Sequence, residues 1–238
     1  MFKLALQIKD GAELYRAAAS RIRSVQLVEE DESPDAFVAN EPLGTGQPTL
    51  LVGAEPSAPN HFPAMPWRYS PHARAVRSSL DAGELGAPGL LRIHQWESKS
   101  KPLAHRSRLA AVELALWLIG EPPDAEHGAH NSSNKLLHLG FPRGAMAMMD
   151  FSSSLPAGEG YRSLSLIGSR GAAYADDQRD RNLLFRGDAP RATAPDSDFS
   201  ALQPMIEDFV SAVDGGRSAD VDTCAFTAAQ ELSGRLLA

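Results

Sequence analysis

At 238 residues, 43% hydrophobic and 22% charged, the chain is long enough for one large core or two small ones and has the composition of a soluble globular protein. Its 30 acidic residues against 23 basic ones give a formal charge of -7 without a concentrated basic surface, which excludes nucleic acid as a partner. A single cysteine, Cys224, rules out an intramolecular disulfide and a Cys-based zinc site, and its place in the apolar stretch from Val221 to Ala229 predicts a buried, inert thiol.

The start Met1-Phe2-Lys3-Leu4-Ala5-Leu6 turns polar at Gln7, too early for a signal-peptide core, and no apolar run approaches membrane-spanning length. A cytoplasmic protein with no membrane partner is expected. Lys3 to Leu6 is a short strand, Ala12 to Ile22 a helix with Leu14, Ala17, Ala18 and Ile22 on one stripe, and Val25 to Val28 a second strand. This β-α-β opening makes the two strands parallel. The runs Ala36 to Ala39 and Thr49 to Val52 extend the same small sheet.

The 19 glycines and 17 prolines concentrate in connectors, at Glu41 to Gln47, Ala54 to Pro66, Gly120 to Gly128 and Gly187 to Asp198. After the second of these, Pro71 to Ala82 is predicted as a helix with Ser70 as its N-cap and Pro71 at its first position. Leu90 to Trp96 alternates as a strand, with Leu91 and Ile93 on one face and Arg92, His94 and Trp96 on the other. Leu109 to Ile119 is an apolar helix stopped by Gly120 and Pro122. Strands follow at Lys135 to Gly140, Ala145 to Ser152, Arg162 to Ile167 and Ala172 to Ala175, paired antiparallel through turns such as Pro142-Arg143-Gly144. Leu202 to Val213 and Asp222 to Leu237 close the chain as helices. The charge run Asp176-Asp177-Gln178-Arg179-Asp180-Arg181 is taken as a solvated loop.

Four segments, in order, carry a resemblance: Trp67-Arg68-Tyr69-Ser70-Pro71, Ser79-Leu80-Asp81-Ala82-Gly83-Glu84-Leu85-Gly86, Glu113-Leu114-Ala115-Leu116-Trp117-Leu118-Ile119-Gly120-Glu121-Pro122 and Leu166-Ile167-Gly168-Ser169-Arg170-Gly171. The chain resembles a shortened, degenerate member of the Gfo/Idh/MocA oxidoreductase family. The resemblance implies an α/β plus α+β fold. A truncated Rossmann-like parallel sheet over residues 1–62 precedes an open-faced, mostly antiparallel sheet over residues 63–238, with helices on one face.

The first half departs from the family where its chemistry would lie. Gln7 and Lys9 stand near the first two glycines of a phosphate-binding loop, where their side chains are expected to fill the phosphate space, and Asp10 and Glu13 add negative charge. Only Glu29 to Pro34 separates the second strand from Asp35-Ala36-Phe37-Val38, and no lysine lies near Ala54 and Glu55, where the family's Glu-Lys-Pro signature would fall. In the second half, the family's proton-handling aspartate and histidine fall on Arg106 and Ala110, while an acid persists at Glu113. Arginine stays protonated and alanine has no proton to move. The expectation is therefore no cofactor and no active NAD(P)-dependent dehydrogenase.

A group of cations and aromatics offers candidate ligand contacts: Trp67, Arg68, Tyr69, His94, Trp96, Lys99, His105, Arg106 and Arg108, with Lys101 among them. Guanidinium donors and aromatic faces suit a sugar or sugar acid. Alternatively, these are solvated charges, with Trp67 and Trp96 as packing residues. Function is open between a non-catalytic or repurposed binder of a small polar ligand, a structural subunit, an enzyme using a His/Met-lined pocket on the open sheet for a metal or haem, and a residual NAD(P)-dependent sugar oxidoreductase. His127 and His130 with Glu126 and Asp124 are metal-ligand types, but on a loop. The uncovered face of the second sheet, with Trp96, His94, His138 and either Met146 with Met148 or Ala147 with Met149, predicts a homodimer.

Overall fold

The computed structural model describes residues 1–9, 11–99, 105–155, 160–176, 181–186, 189–193 and 201–237. Two compact units emerge, Met1–Tyr69 with Ser197–Thr227, and Ser70–Asp196 with Ala228–Ala238.

In the first unit, β1 (Phe2–Gln7), β2 (Val25–Leu27), β3 (Ala36–Ala39), β4 (Thr49–Leu51) and β5 (His61–Pro63) form a parallel sheet in the order β2-β1-β3-β4-β5. Strands β3, β4 and β5 are buried along their whole length, as parallel strands covered on both faces must be. Helix α1 (Ala12–Ala19) is shorter than the periodicity predicts, since the chain leaves it at Ser20 and only Ile22 beyond it stays buried. The strand β5 lies inside the proline-rich connector, where three residues carry too little periodicity to signal a strand.

Between β2 and β3 and between β3, β4 and β5, no α-helix intervenes; the connections are a 3₁₀ turn at Glu30–Glu32 and irregular chain. Strands of three or four residues need only a short return to pair in parallel. The missing cover is supplied from far along the chain by α4 (Leu202–Asp214), which packs against α1 and places Met205, Ile206, Phe209 and Val210 in one core with Leu4, Val38, Leu50 and Phe62. At roughly 1.5–3 kcal/mol per fully buried large side chain, this is the main stabilisation of the sheet. A single cut after residue 62 therefore does not describe the contacts, because α4 belongs to the first core and Pro63 to Tyr69 stay with it.

The second unit is an eight-stranded sheet of β6 (Pro88–Ser98), β7 (Ala125–His130), β8 (Asn134–Gly140), β9 (Met146–Leu155), β10 (Tyr161–Gly168), β11 (Gly171–Asp176), β12 (Arg181–Arg186) and β13 (Ala189–Thr193). Its order is β13-β12-β11-β10-β6-β9-β8-β7, antiparallel except for the parallel pair β6 and β9. The predicted face assignment holds. Leu91, Ile93, Leu137, Leu139, Ala147 and Met149 are buried, while Met146 and Met148 share the other face with His94 and Trp96. Helices α2 (Pro71–Asp81), packed on β10 and β11, and α3 (His105–Ile119), packed on β6 and β9, cover the buried face. The Ser70 hydroxyl caps α2 by accepting from the Ala73 N–H at 3.2 Å.

Two of the family-like segments lock together. Arg170 N–H donates to the Leu85 carbonyl at 3.0 Å and Ser169 N–H to the Ala87 carbonyl at 2.9 Å. A Cβ on Gly168 would stand 2.2 Å from the Leu85 carbonyl oxygen, so only glycine admits this approach. Several expectations change. Residues 125–130 form the edge strand β7, not a loop, because they pair with β8 through Ala129↔Leu136 and its neighbours. Strand β13 replaces part of the connector expected from Gly187, and β12 begins at Arg181, the last residue of the charge run expected as a solvated loop. Asp176 ends β11, and residues 177–180 lie outside the described residues. Cys224 is exposed on α5 (Asp220–Leu237), whose buried positions are Ala229, Leu232 and Ser233.

Candidate functional site

Ligands of open α/β sheets bind outside the carboxyl ends of the strands where the strand order reverses, here between β1 and β3. Asn40, just past β3, ties these ends together. Its Oδ1 accepts from Lys9 N–H at 2.7 Å and its Nδ2 donates to the Val52 carbonyl at 3.1 Å. The Lys9 ammonium is drawn to Glu41 at 2.8 Å, both side chains being exposed. Gly11 precedes α1 with φ 77°, and open space surrounds it. The N–H groups of Ala12 and Glu13 begin the helix without intrahelical acceptors. Glu29 follows β2, its N–H donating to Glu32 at 2.8 Å. This helix start offers its N–H groups to an anion, and an acid beyond the second strand is where a nucleotide-binding sheet of this kind holds a ribose.

In the second unit, a polar row crosses the helix-covered face. Gln95 on β6 stands opposite Arg162 of β10 on one side and Phe151 of β9 on the other, and Phe151 stands opposite Lys135 of β8. Gln95 is 1% exposed, and its Oε1 has no hydrogen-bond partner. Glu113 of α3 is 2% exposed. Burial, and then the nearby guanidinium of Arg108, holds the Lys135 ammonium below its usual range; burial also lowers Arg108.

On the opposite, open face of the same sheet, Asp150 accepts from Trp96 Nε1 and is bonded to His94 Nδ1. Burial opposes its ionisation, but these two bonds outweigh it and the carboxyl lies below the usual range. The Trp96 ring also lies 5.4 Å from that of Tyr161.

The candidate residues thus fall into separate places. Arg68 and Tyr69 enter an ion-pair network of the first unit, with Asp222 and Asp208, and Trp67 shares their 3₁₀ turn, Pro66–Tyr69. His94 and Trp96 lie on the open face, Lys99 is exposed beyond β6, and Arg108 is on the covered face. His105 and Arg106 open α3, with side chains outside the described residues, as all of Lys101 is. Gln95, Lys135, Arg162 and Asp150 were missed. The alternation of Leu91 and Ile93 carries the signal for Gln95, a polar residue at the next core position. Among the described residues, no three His, Cys, Asp or Glu side chains gather in a metal-holding group, and no helix is long and apolar enough to cross a membrane.

No protein-family model and no curated protein sequence matches the chain. Solved structures match along nearly its whole length. An oxidoreductase from Sinorhizobium meliloti superposes with a TM-score of 0.77 at 13% identity, covering 98% of this chain and 97% of its own. A myo-inositol dehydrogenase from Corynebacterium glutamicum gives 0.70 at 14%, with 100% and 97% coverage. An oxidoreductase from Agrobacterium radiobacter, in complex with NAD+, L-tartaric acid and magnesium, gives 0.75 at 11%, with 96% and 94% coverage. The last of these overturns the expectation of no cofactor, since a protein of this same fold holds NAD+, and the geometry beside Gly11 agrees. The physical reason is that Gly11, with φ 77° and open space about it, leaves backbone room at the helix start, which counting the missing glycines alone did not reveal. The chain has the two-domain fold of these solved oxidoreductases, the fold that the Gfo/Idh/MocA resemblance implied.

Proposed function

We propose that the chain is a repurposed relative of the sugar oxidoreductases, a cytoplasmic homodimer that binds a small polar ligand, a sugar or sugar acid, without oxidising it. The observation that carries this reading is the polar row of Arg108, Lys135, Gln95 and Arg162 on the covered face of the second sheet. Such a row places donors and acceptors on a helix-covered face, a setting that suits a polyhydroxylated or carboxylated ligand. Among the proteins of this fold are a myo-inositol dehydrogenase and an oxidoreductase holding L-tartaric acid, which supports a polyhydroxylated or carboxylated ligand.

A nucleotide would be received by Gly11 and the N–H groups of Ala12 and Glu13, with Glu29 toward its ribose. A nicotinamide, when bound, supplies a hydride acceptor. The chain's own side chains supply no partner for the substrate proton at the resembling positions, Arg106 and Ala110.

Thermal-shift titration with NAD+, NADP+, myo-inositol and L-tartrate, alongside NADH absorbance, tests the reading. Stabilisation by a nucleotide and by at least one polyol or hydroxy acid, without NADH formation, is expected. Turnover at an enzymic rate would reject the repurposed reading. No stabilisation by any polyol or acid would reject the ligand site.

A further inference from the structure

On the open face of the second sheet, one cross-strand row carries metal-binding side chains that the proposed ligand binding leaves unused. From β10 outward, Ser165 stands opposite Arg92 of β6, Arg92 opposite Met148 of β9, Met148 opposite His138 of β8, and His138 opposite His127 of the edge strand β7. Directly opposed residues share a face with Cβ atoms about 4.5–5.5 Å apart, so the His138 imidazole stands between a second imidazole and a thioether. The ring centres of His127 and His138 are 6.3 Å apart. His138 Nε2 is buried and has no hydrogen-bond partner, whereas His127 on the edge is exposed. A buried ring nitrogen in that state has lost its water and gained nothing in exchange.

We propose that His127, His138 and Met148 form a binding site for a soft monovalent cation, Cu(I). The spacing of the rings selects the ion. With a metal–nitrogen bond of about 2.0 Å and a ring nitrogen roughly 1.1 Å from the ring centre, imidazoles on opposite sides of one ion have centres about 6.2 Å apart, against about 5 Å at a tetrahedral angle. The observed spacing is that of the near-linear pair of nitrogens that Cu(I) accepts, not that of tetrahedral zinc. The charge of the row agrees. Its charged member is Arg92, beside Met148, and the Asp150 carboxylate on β9 is already bonded to His94 and Trp96. A hard dication needs oxygen ligands that these three side chains do not offer, while a thioether beside imidazoles suits the soft ion. Bound there, the ion ties the edge strand β7 to β8 and β9 by side-chain bonds in addition to the backbone ladder. The site lies on the face opposite the polar row and is independent of the sugar or acid proposed above.

Cys224 is exposed and its thiolate would itself take a soft ion, so the test uses the full chain carrying Cys224→Ser. Anaerobic titration with Cu(I) against the coloured chelator bicinchoninate should show one equivalent held per chain. His127→Ala, at an exposed edge position that should fold normally by far-ultraviolet circular dichroism, is expected to weaken Cu(I) by roughly a hundred-fold. Met148→Leu, close in volume, should weaken it by about ten-fold. His130→Ala, on the same strand but its other face, should leave it within about two-fold. Zn(II) should bind roughly a hundred-fold more weakly than Cu(I). Failure to hold one equivalent, or Cu(I) binding undiminished in His127→Ala, would overturn the site. Binding undiminished in Met148→Leu, or Zn(II) held as tightly as Cu(I), would overturn the thioether contact and with it the choice of ion.

Discussion

The Tyr69 hydroxyl donates to Asp208 Oδ2 at 2.8 Å, joining residues 139 positions apart in the chain. Arg217 grips the same oxygen at 2.9 Å and also reaches Asp222 at 2.7 Å, while Arg68 holds the other oxygen of Asp222 at 3.2 Å. These bonds fasten the 3₁₀ turn Pro66–Tyr69 to the start of α5 and to α4. Burial first, and then the Asp208 carboxylate, raises the Tyr69 hydroxyl above the usual phenol range, so it remains a donor under all ordinary conditions. Tyr69→Phe should cost about 1 kcal/mol. Asp222→Ala takes a carboxylate from two guanidiniums, the largely buried Arg68 and Arg217, which keeps Asp208, and should cost about 3 kcal/mol in urea unfolding. A cost under 0.5 kcal/mol for Asp222→Ala would show the network to be incidental.

The join between the helix-to-sheet turn and the β10 to β11 hairpin depends on a missing side chain. Gly168→Ala places a carbon 2.2 Å from the Leu85 carbonyl oxygen and about 3 Å from the Ala87 carbonyl oxygen, both backbone atoms that cannot swing away. A loss of about 2–4 kcal/mol is expected. Gly144→Ala, at a turn with φ 85° and open space, is the control for left-handed backbone alone, and should cost only about 1 kcal/mol.

Asp150 gives the second sheet an acid-sensitive element. Its carboxyl is held below the usual range in the folded protein, so the folded state binds fewer protons than the unfolded chain, and stability falls with falling pH. The contribution is fully present above the ordinary carboxylate value of about 4 and is lost as pH drops below it, through the folded value. Asp150→Asn should flatten that part of the stability curve while leaving the curve above pH 6 parallel to wild type. An unchanged acid slope in the variant would assign the effect to other carboxylates.

Much of the fold was legible because long alternating strands and capped helices declare themselves locally. The face of β6, the cap at Ser70 and the hairpin at Pro142-Arg143-Gly144 follow from a handful of residues. The strand β5 and the return of α4 were not legible in position, since one is three residues long and the other is paired by packing from 140 residues and more away. The same limit governs the site. Arg68 and Tyr69 stand in sequence beside residues that resemble a ligand segment, yet their partners Asp222 and Asp208 are chosen by tertiary contact. The influence of Arg108 in α3 on Lys135 in β8 likewise follows from tertiary packing and not from sequence.

Self-association should use the open face of that sheet. Among the described residues, seven large hydrophobic side chains are exposed, and four of them, Leu136, Met146, Ile167 and Tyr174, lie on this one face. Scattered exposed apolar residues need no explanation, but four on one face, with Trp96 and Met148 among polar neighbours such as Arg92 and Ser165, mark that face for burial. A two-fold pairing buries it against itself with no further element, and a sheet of this size offers enough area for a stable dimer. Sedimentation equilibrium at about ten micromolar should report a dimer. Trp96→Asp places a carboxylate beside Asp150 in the centre of the face, and Ile167→Asp charges it on β10 without touching the Asp150 bonds; both should yield folded monomers with unchanged far-ultraviolet circular dichroism. A monomeric wild type, or a dimer that persists in both variants, would place the interface elsewhere or remove it.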